Sequence, residues 1–130
     1  MILLDTNVLI YAFDPDSPFC HWAKETIAEA VAGDGAAINA VSLAEICVGD
    51  ANPPTAADRI RSWGIEILDV PAAAADECAK AYRLYRQRRV PQSDGPVPIM
   101  PLPDFFIGAH AKIMGWELAT ADQGRFHTYF

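Results

Sequence analysis

The chain begins with the stretch MILLDTNVLI (residues 1–10), in which a short apolar run meets Asp5 and apolar residues then resume. The run ILL (residues 2–4) is short and bounded, and it predicts a fully buried strand. The following segment TNVLIYAF (residues 6–13) predicts a helix. A buried strand therefore leads directly into a carboxylate, and the positions of other acidic residues in the chain suggest a reason.

Short apolar runs alternate with helical segments along the rest of the chain. Further strands are predicted at residues 36–40, 65–70 and 116–120, and helices at residues 18–31, 42–49, 55–63, 71–89 and 104–115. Strands that alternate with helices indicate a parallel sheet covered on both faces. We therefore expect an α/β fold, and the length of 130 residues suggests one domain over residues 1–130.

Polar residues at the predicted helix starts suggest how these helices are capped. Thr6 or Asn7 lies near the start of the first helix, and Ser17 precedes the second. Ser42 and Glu45 have the spacing of a capping box at the third helix. The stretch VPQSDGPVPIMPLP, which precedes the last predicted helix, contains five of the ten prolines and predicts a loop. Its length makes it a candidate substrate loop or mobile flap.

The composition favours a globular protein without a membrane anchor. Hydrophobic residues make up 52% of the chain, yet no apolar run approaches the ~20 residues that a membrane-spanning helix needs. The N-terminus lacks the basic region and cleavage site of a secretory signal, which favours the cytoplasm. Cys20, Cys47 and Cys78 are odd in number and far apart, so we expect reduced thiols rather than disulfides or a zinc site.

The distribution of charge leaves two interpretations open. A net charge of −7 argues against a nucleic-acid-binding protein, which usually carries a basic patch. Half of the ten basic residues nevertheless fall in one predicted helix, at Lys80, Arg83, Arg86, Arg88 and Arg89. This helix either binds phosphates or an acidic protein segment, or it has a solvated outer face with Tyr82 and Tyr85 directed inward. The second is the more ordinary interpretation of a charge run.

Four acidic residues are predicted to meet at one edge of the sheet. Asp5 and Asp122 follow the first and last predicted strands, Asp104 begins a helix, and Glu45 lies on the helix after the second strand. Ligands of open α/β sheets bind beyond the carboxyl ends of the strands. Crowded carboxylates repel each other unless a cation neutralises them, and oxygen ligands without Cys or His suit Mg²⁺ or Mn²⁺.

The predicted metal site indicates a reaction. Such an ion polarises a phosphate, activates a water and neutralises developing charge, so we expect phosphodiester hydrolysis. A single aspartate at a strand end is also commonly a turn residue or a helix cap, and Glu45 fits as the capping-box partner of Ser42. The four positions together carry the hypothesis.

His110 follows Asp104 by six residues, faces another side of the same helix and is expected to be structural.

Four stretches resemble the motif blocks of a known family, in the same order along the chain. They are LLDTNVLI (3–10), AVSLAEI (40–46), PDFFIGAHA (103–111) and LATADQGRF (118–126), and the chain resembles the PIN domain family in all four. Its size and layout are similar to VapC-type toxin ribonucleases of toxin–antitoxin pairs. The proline-rich stretch (90–103) is longer than the connection that this resemblance leads us to expect.

The resemblance implies a fold, an activity and partners. The implied fold is a three-layer α/β/α sandwich with a central parallel sheet, and the implied activity is an Mg²⁺- or Mn²⁺-dependent endoribonuclease. Asp5, Glu45, Asp104 and Asp122 match the family's catalytic, metal-binding acids. An RNA substrate, a cognate antitoxin protein and a homodimer follow from the same resemblance.

Other matched positions have supporting roles in this interpretation. Asn7, Ser42 and Thr120 would orient the carboxylates or waters, or serve only as caps and turn residues. Arg125 is a candidate RNA contact, as are two arginines of the basic helix, Arg86 and Arg89.

Two alternatives belong to other functional classes. A phosphoacceptor receiver domain also places acids at strand ends, and Asp69 would then be the acceptor at the end of the third strand. However, receivers usually have two acids after the first strand and a lysine after the last, and both are missing here. The other alternative is an inactive PIN-like scaffold that binds RNA or protein. The presence of all four acids argues against it.

Overall fold

The computed structural model describes residues 1–50, 53–89 and 102–130, with the backbone alone at residues 53, 54, 89, 125 and 128. Four parallel strands form one sheet in the order β3-β2-β1-β4. The strands are β1 (Ile2–Leu4), β2 (Ala36–Asn39), β3 (Ile65–Leu68) and β4 (Glu117–Ala119). All four lie where strands were predicted.

Helices separate the strands along the chain. In the described residues they are α1 (Thr6–Phe13), α2 (Cys20–Ala32), α3 (Ala40–Val48), α4 (Pro53–Ser62), α5 (Ala74–Arg89), α6 (Leu102–Met114) and α7 (Gln123–Tyr129). The predicted alternation of strands and helices is confirmed. It follows from short apolar runs that are long enough for a buried strand and bounded by segments with helical character.

The sheet is covered on both faces, because neighbouring side chains of a strand point to opposite sides. Leu4 and Ile38 pack into one core with residues of α1 to α4. Leu3 and Ala37 pack into another with Ile107 of α6. The predicted three-layer α/β/α sandwich is thereby confirmed.

Helices α5 and α6 pack antiparallel to each other on the second side. The Glu77 carboxylate lies 2.9 Å from the Lys112 ammonium near one end of the pair. The Tyr82 ring meets the Phe105 ring near the other end, with 5.4 Å between centroids. The more ordinary interpretation of the basic helix directs both tyrosines inward; Tyr85 is buried as it predicts, whereas Tyr82 is only partly buried. The arginine-rich end of α5 therefore lies beside the first turn of α6.

The helix caps differ from the predictions. Asp5, rather than Thr6 or Asn7, is the N-cap of α1. The N-cap of α3 is Asn39, whose side chain accepts a hydrogen bond from the Ser42 amide, so the predicted capping box is wrong. In both cases the last polar residue at the strand end also caps the following helix, because the loop between them is so short.

Two further helix starts also differ from the predicted ones. Helix α2 begins at Cys20 without a side-chain cap, and the Ser17 hydroxyl instead accepts a hydrogen bond from the Phe19 amide. Helix α6 begins at Leu102, so Asp104 lies inside its first turn rather than before it. The predicted proline-rich loop otherwise falls at 90–101, outside the described residues.

The chemistry of the cysteines agrees with the sequence. Cys20, Cys47 and Cys78 are thiols that form no disulfide. Within the ranges that the structure describes, none of the helices has the length and apolar character needed to cross a bilayer.

A glycine of α6 allows the last aromatic residue to pack against the helix. A Cβ atom built at Gly108 would lie 2.4 Å from the Phe130 ring, whereas one at Gly124 of α7 meets nothing within 4 Å. We predict that Gly108→Ala lowers the free energy of unfolding by about 1–2 kcal/mol, because the ring must leave its place beside Phe105.

The matched control is Gly124→Ala, which makes the same chemical change in a helix with open space. It should leave stability unchanged or raise it by less than about 1 kcal/mol. Urea denaturation of both variants checks this packing. Equal stability of the two variants would contradict it.

Candidate functional site

Three strands end at the same edge of the sheet, and polar residues follow each of them. Asp5 comes directly after β1, Asn39 is the last residue of β2, and Thr120 follows β4. The Asp5 amide donates a hydrogen bond to the Ala119 carbonyl at 2.9 Å, which holds the ends of β1 and β4 together. The carboxyl ends of the strands thus place these side chains in one region.

Asp5 is a buried carboxylate with both oxygens fixed. Only 4% of the residue is exposed. The Thr6 amide donates to Oδ1 and the Thr120 hydroxyl donates to Oδ2, each at 2.8 Å. Because each oxygen accepts a hydrogen bond, the Asp5 side chain is held in one orientation at the end of the strand.

The surroundings of Asp5 disfavour its charge. The pKa of Asp5 is raised from 3.8 to about 6, and burial is the largest cause. The charges of Asp104 and Glu45 add to the rise, whereas the hydrogen bonds from Thr120 and Thr6 oppose it. Burial also raises the pKa of Glu45, with Asp104 as a further cause and a Thr6 hydrogen bond opposing it. Three of the four predicted acids therefore lie close enough to affect one another.

Asp104 approaches this group from a different element. It lies in the first turn of α6, where a negative charge interacts favourably with the helix dipole. Its charge raises the pKa of both Asp5 and Glu45. The structure thus brings together carboxylates from the ends of β1, α3 and α6, which are far apart in sequence.

Thr6 is a member of the site that the sequence interpretation treated only as a cap. Its hydroxyl lies 2.8 Å from Glu45 Oε1 and 3.0 Å from the Ser42 hydroxyl. A threonine hydroxyl has one proton to donate. Donation to the Glu45 carboxylate therefore leaves Ser42 to donate to Thr6. The available signal was its position directly after Asp5, which brings it to the same edge.

Asn39, the N-cap of α3, is a second residue that the sequence analysis missed. Asn39 is fully buried, and its Oδ1 accepts from the Ser42 amide at 3.0 Å. Its Nδ2 lies 3.3 Å from Nδ1 of His110, which is also buried. Burial lowers the pKa of His110, so the neutral ring accepts the Asn39 proton. His110 has the structural role predicted for it.

The remaining predicted residues organise the segment after β4. The Asp122 amide donates to the Thr120 hydroxyl at 2.9 Å. The Ala121 amide donates to Asn7 Oδ1 at 3.4 Å. These bonds hold Asp122, which is partly buried, three residues beyond the end of β4 at the same edge.

Only one of the three arginines predicted as RNA contacts has a described side chain. Arg86 is exposed on α5, and the side chains of Arg89 and Arg125 fall outside the described residues.

The donor set suits a hard divalent cation. Among the described side chains, no three from His, Cys, Asp and Glu converge into a ready-made metal-binding group. Mg²⁺ keeps several waters, however, and is commonly held by one or two carboxylates. A buried carboxylate whose pKa is raised partly by its acidic neighbours is one that a cation would stabilise. The oxygen-only site at Asp5 therefore fits such an ion.

Comparison with known proteins identifies the family. Residues 2–129 match the family model of the PIN domain. The chain belongs to the PIN domain family. This membership replaces the receiver-like alternative, whose acceptor Asp69 is exposed after the edge strand β3. A comparison with curated protein sequences found no match.

Solved structures share the PIN fold along nearly the whole chain. VapBC2 from Rickettsia felis bound to a promoter DNA fragment matches with a TM-score of 0.65 and 21% identity, over 99% of this chain and 93% of that one. Mycobacterium tuberculosis VapC20, a sarcin-ricin loop cleaving toxin, matches with a TM-score of 0.65 and 15% identity, over 98% of this chain and 94% of that one. A toxin–antitoxin complex from Klebsiella pneumoniae matches with a TM-score of 0.64 and 25% identity, over 97% of this chain and 90% of that one.

The raised pKa of Asp5 predicts a dependence of stability on pH in metal-free protein. Because the folded pKa lies above the ordinary value of 3.8, ionising Asp5 destabilises the fold as pH rises from about 4 to about 7. A shift of about two units corresponds to about 3 kcal/mol. We predict that Asp5→Asn stabilises the protein by up to this amount near neutral pH and by little near pH 4.

Urea denaturation in EDTA, with the wild type and Asp5→Asn compared at each pH, checks this prediction. The comparison cancels the opposite contribution of His110, whose lowered pKa destabilises the fold as pH falls. Asp34→Asn makes the same change at an exposed position and should have little effect. A stability difference that does not change with pH would show that Asp5 carries no such penalty.

Proposed function

We propose that this PIN-domain protein is a metal-dependent endoribonuclease of the toxin type. The observation that carries the proposal is the Asp5 carboxylate, whose charge is disfavoured first by burial and then by its acidic neighbours Asp104 and Glu45. A site of this kind is costly for a fold to keep and suits a bound cation. The fold shared with VapC20, a toxin that cleaves the sarcin-ricin loop, supports an RNA substrate.

In this proposal Asp5, Glu45, Asp104 and Asp122 would hold Mg²⁺ or Mn²⁺, an ion that keeps several of its waters and so does not need every carboxylate in direct contact. The ion would supply polarisation of the phosphate, activation of a water and neutralisation of developing charge. The chain itself supplies the placement. Thr6 and Thr120 keep the Asp5 oxygens in one orientation, and Thr6 also holds Glu45.

Further residues have supporting roles in the proposal. Ser42 positions Glu45 through the Thr6 hydroxyl, while Asn7 and Thr120 hold the backbone that carries Asp122. We propose Arg86, Arg89 and Arg125 as contacts to RNA phosphates, because guanidinium groups bind phosphate oxygens through paired hydrogen bonds.

The proposal extends to a protein partner, an oligomeric state and a location in the cell. Several of these are toxin–antitoxin complexes, which supports a cognate antitoxin as the protein partner. We further propose a single domain over residues 1–130, a homodimer, and action in the cytoplasm, where RNA is available to a toxin nuclease.

Cleavage of a structured RNA by the purified protein tests the proposed reaction. We predict cleavage with Mg²⁺ or Mn²⁺ and none with EDTA. Asp104→Asn should lower the rate by about 100-fold or more, since the negative charge that would neutralise the ion is lost. Gel analysis of end-labelled RNA measures both effects.

The control is Asp34→Asn, which alters an exposed acid away from the sheet edge and should cleave at the wild-type rate. Cleavage that persists in EDTA, or an Asp104→Asn variant that is fully active, would contradict the proposed mechanism. RNA binding without any metal-dependent cleavage would instead favour the inactive scaffold.

A further inference from the structure

A groove between α5 and α6 lies beside the candidate site, and of its described lining residues only Arg86 has a role in the function proposed above. Its lining combines apolar, aromatic and basic side chains, from Ala79, Tyr82, Arg83, Arg86, Gln87 and Leu102. Its volume is about 480 Å³, within the range of pockets that take small ligands or parts of larger ones.

The position of the groove relates it to the acidic site. Leu102 precedes Asp104 by two residues, which is about 3 Å along a helix axis. The groove therefore opens at the same end of α6 as Asp104, on another side of the helix. A chain-like ligand that crosses this end of α6 would meet both.

The charge of the groove indicates an anionic occupant. Among the described residues, neither Arg83 nor Arg86 has an ion-pair or hydrogen-bond partner. Most other described basic side chains are engaged, as in the pairs Arg59–Asp50, Arg61–Asp58 and Lys112–Glu77 and the contact of Arg88 with the Tyr129 ring. Two unpaired guanidinium groups are notable in a chain with a net charge of −7.

The aromatic lining distinguishes between anionic polymers. The Tyr82 ring is partly exposed and lines the groove, supported from behind by the Phe105 and Tyr85 rings. Basic side chains beside an aromatic face are the usual composition of single-stranded nucleic-acid sites, where the cations contact phosphates and bases stack on the rings. An acidic peptide would use the arginines but gain little from Tyr82.

We propose that this groove is a subsite for single-stranded RNA beside the cleaved bond. A base stacks on Tyr82, and Arg83 and Arg86 bind the flanking phosphates. The assignment rests on the proposed nuclease function and adds to it a strand-binding surface that requires an unpaired segment of the substrate.

Binding of a labelled single-stranded RNA of about 12 nucleotides tests the subsite, measured by fluorescence anisotropy in Mg²⁺ in the Asp104→Asn background. Arg83→Ala combined with Arg86→Ala should weaken binding about 10-fold and reduce the salt slope by about 1.4, at about 0.7 per lost phosphate contact. Lys24→Ala combined with Arg61→Ala removes the same charge from the other helical layer and should change neither quantity.

The aromatic contact has its own readout. An RNA that contains 5-iodouridine should crosslink on irradiation to the α5 peptide at Tyr82. Tyr82→Phe should keep binding and Tyr82→Leu should weaken it. Poly-L-glutamate should compete poorly; strong competition without any crosslink would assign the groove to an acidic protein and overturn the RNA subsite.

The outcomes separate this inference from the proposed function. If the wild type cleaves RNA but both double variants bind alike, the subsite is wrong and the nuclease stands. If removal of Arg83 and Arg86 abolishes RNA binding while the wild type never cleaves, the groove binds single-stranded RNA but the nuclease is wrong. Absence of RNA binding by the parent protein contradicts the subsite directly.

Discussion

Burial of the Asp5 carboxylate at the end of an interior strand is the constraint on which the rest of the site depends. Strand β1 is buried because Leu3 and Leu4 complete the cores on the two faces of the sheet. Asp5 follows Leu4 directly, so its carboxylate lies in a poorly hydrated position. Two hydrogen bonds offset part of this cost, yet the pKa of Asp5 is still raised to about 6. The fold therefore keeps a carboxylate at Asp5 whose ionised form a bound cation would stabilise.

The supporting hydrogen bonds connect the layers of the sandwich to the carboxylates. His110 of α6 contacts Asn39, and Asn39 caps α3 at the Ser42 amide. Ser42 in turn contacts Thr6, which holds Glu45. No buried side-chain polar atom among the described residues lacks a hydrogen-bond partner. Such a connected group keeps its members in place, because breaking one bond would leave a buried donor or acceptor unpaired.

Sequence reasoning succeeded where a feature depends on neighbours in the chain. The strand at Ile2–Leu4 and the acid after it are visible because a short apolar run is bounded by polar residues. The edge that gathers Asp5, Glu45 and Asp104 follows from parallel topology. Asn39 escaped notice because its partner His110 is brought to it only by tertiary packing, and because the sequence analysis assigned the cap of α3 to Ser42. The caps were misplaced by one or a few residues because strand-end polar residues also serve the next helix.

Titration of Mn²⁺ into the wild type, Asp5→Asn and Asp34→Asn, followed by electron paramagnetic resonance of the free ion, tests the central claim most directly. The account predicts that the wild type and Asp34→Asn bind the ion alike, and that Asp5→Asn weakens binding about 10-fold or more, since a ligating carboxylate and its charge are lost. Equal affinity of all three proteins would contradict the claim that the buried carboxylate forms a cation site.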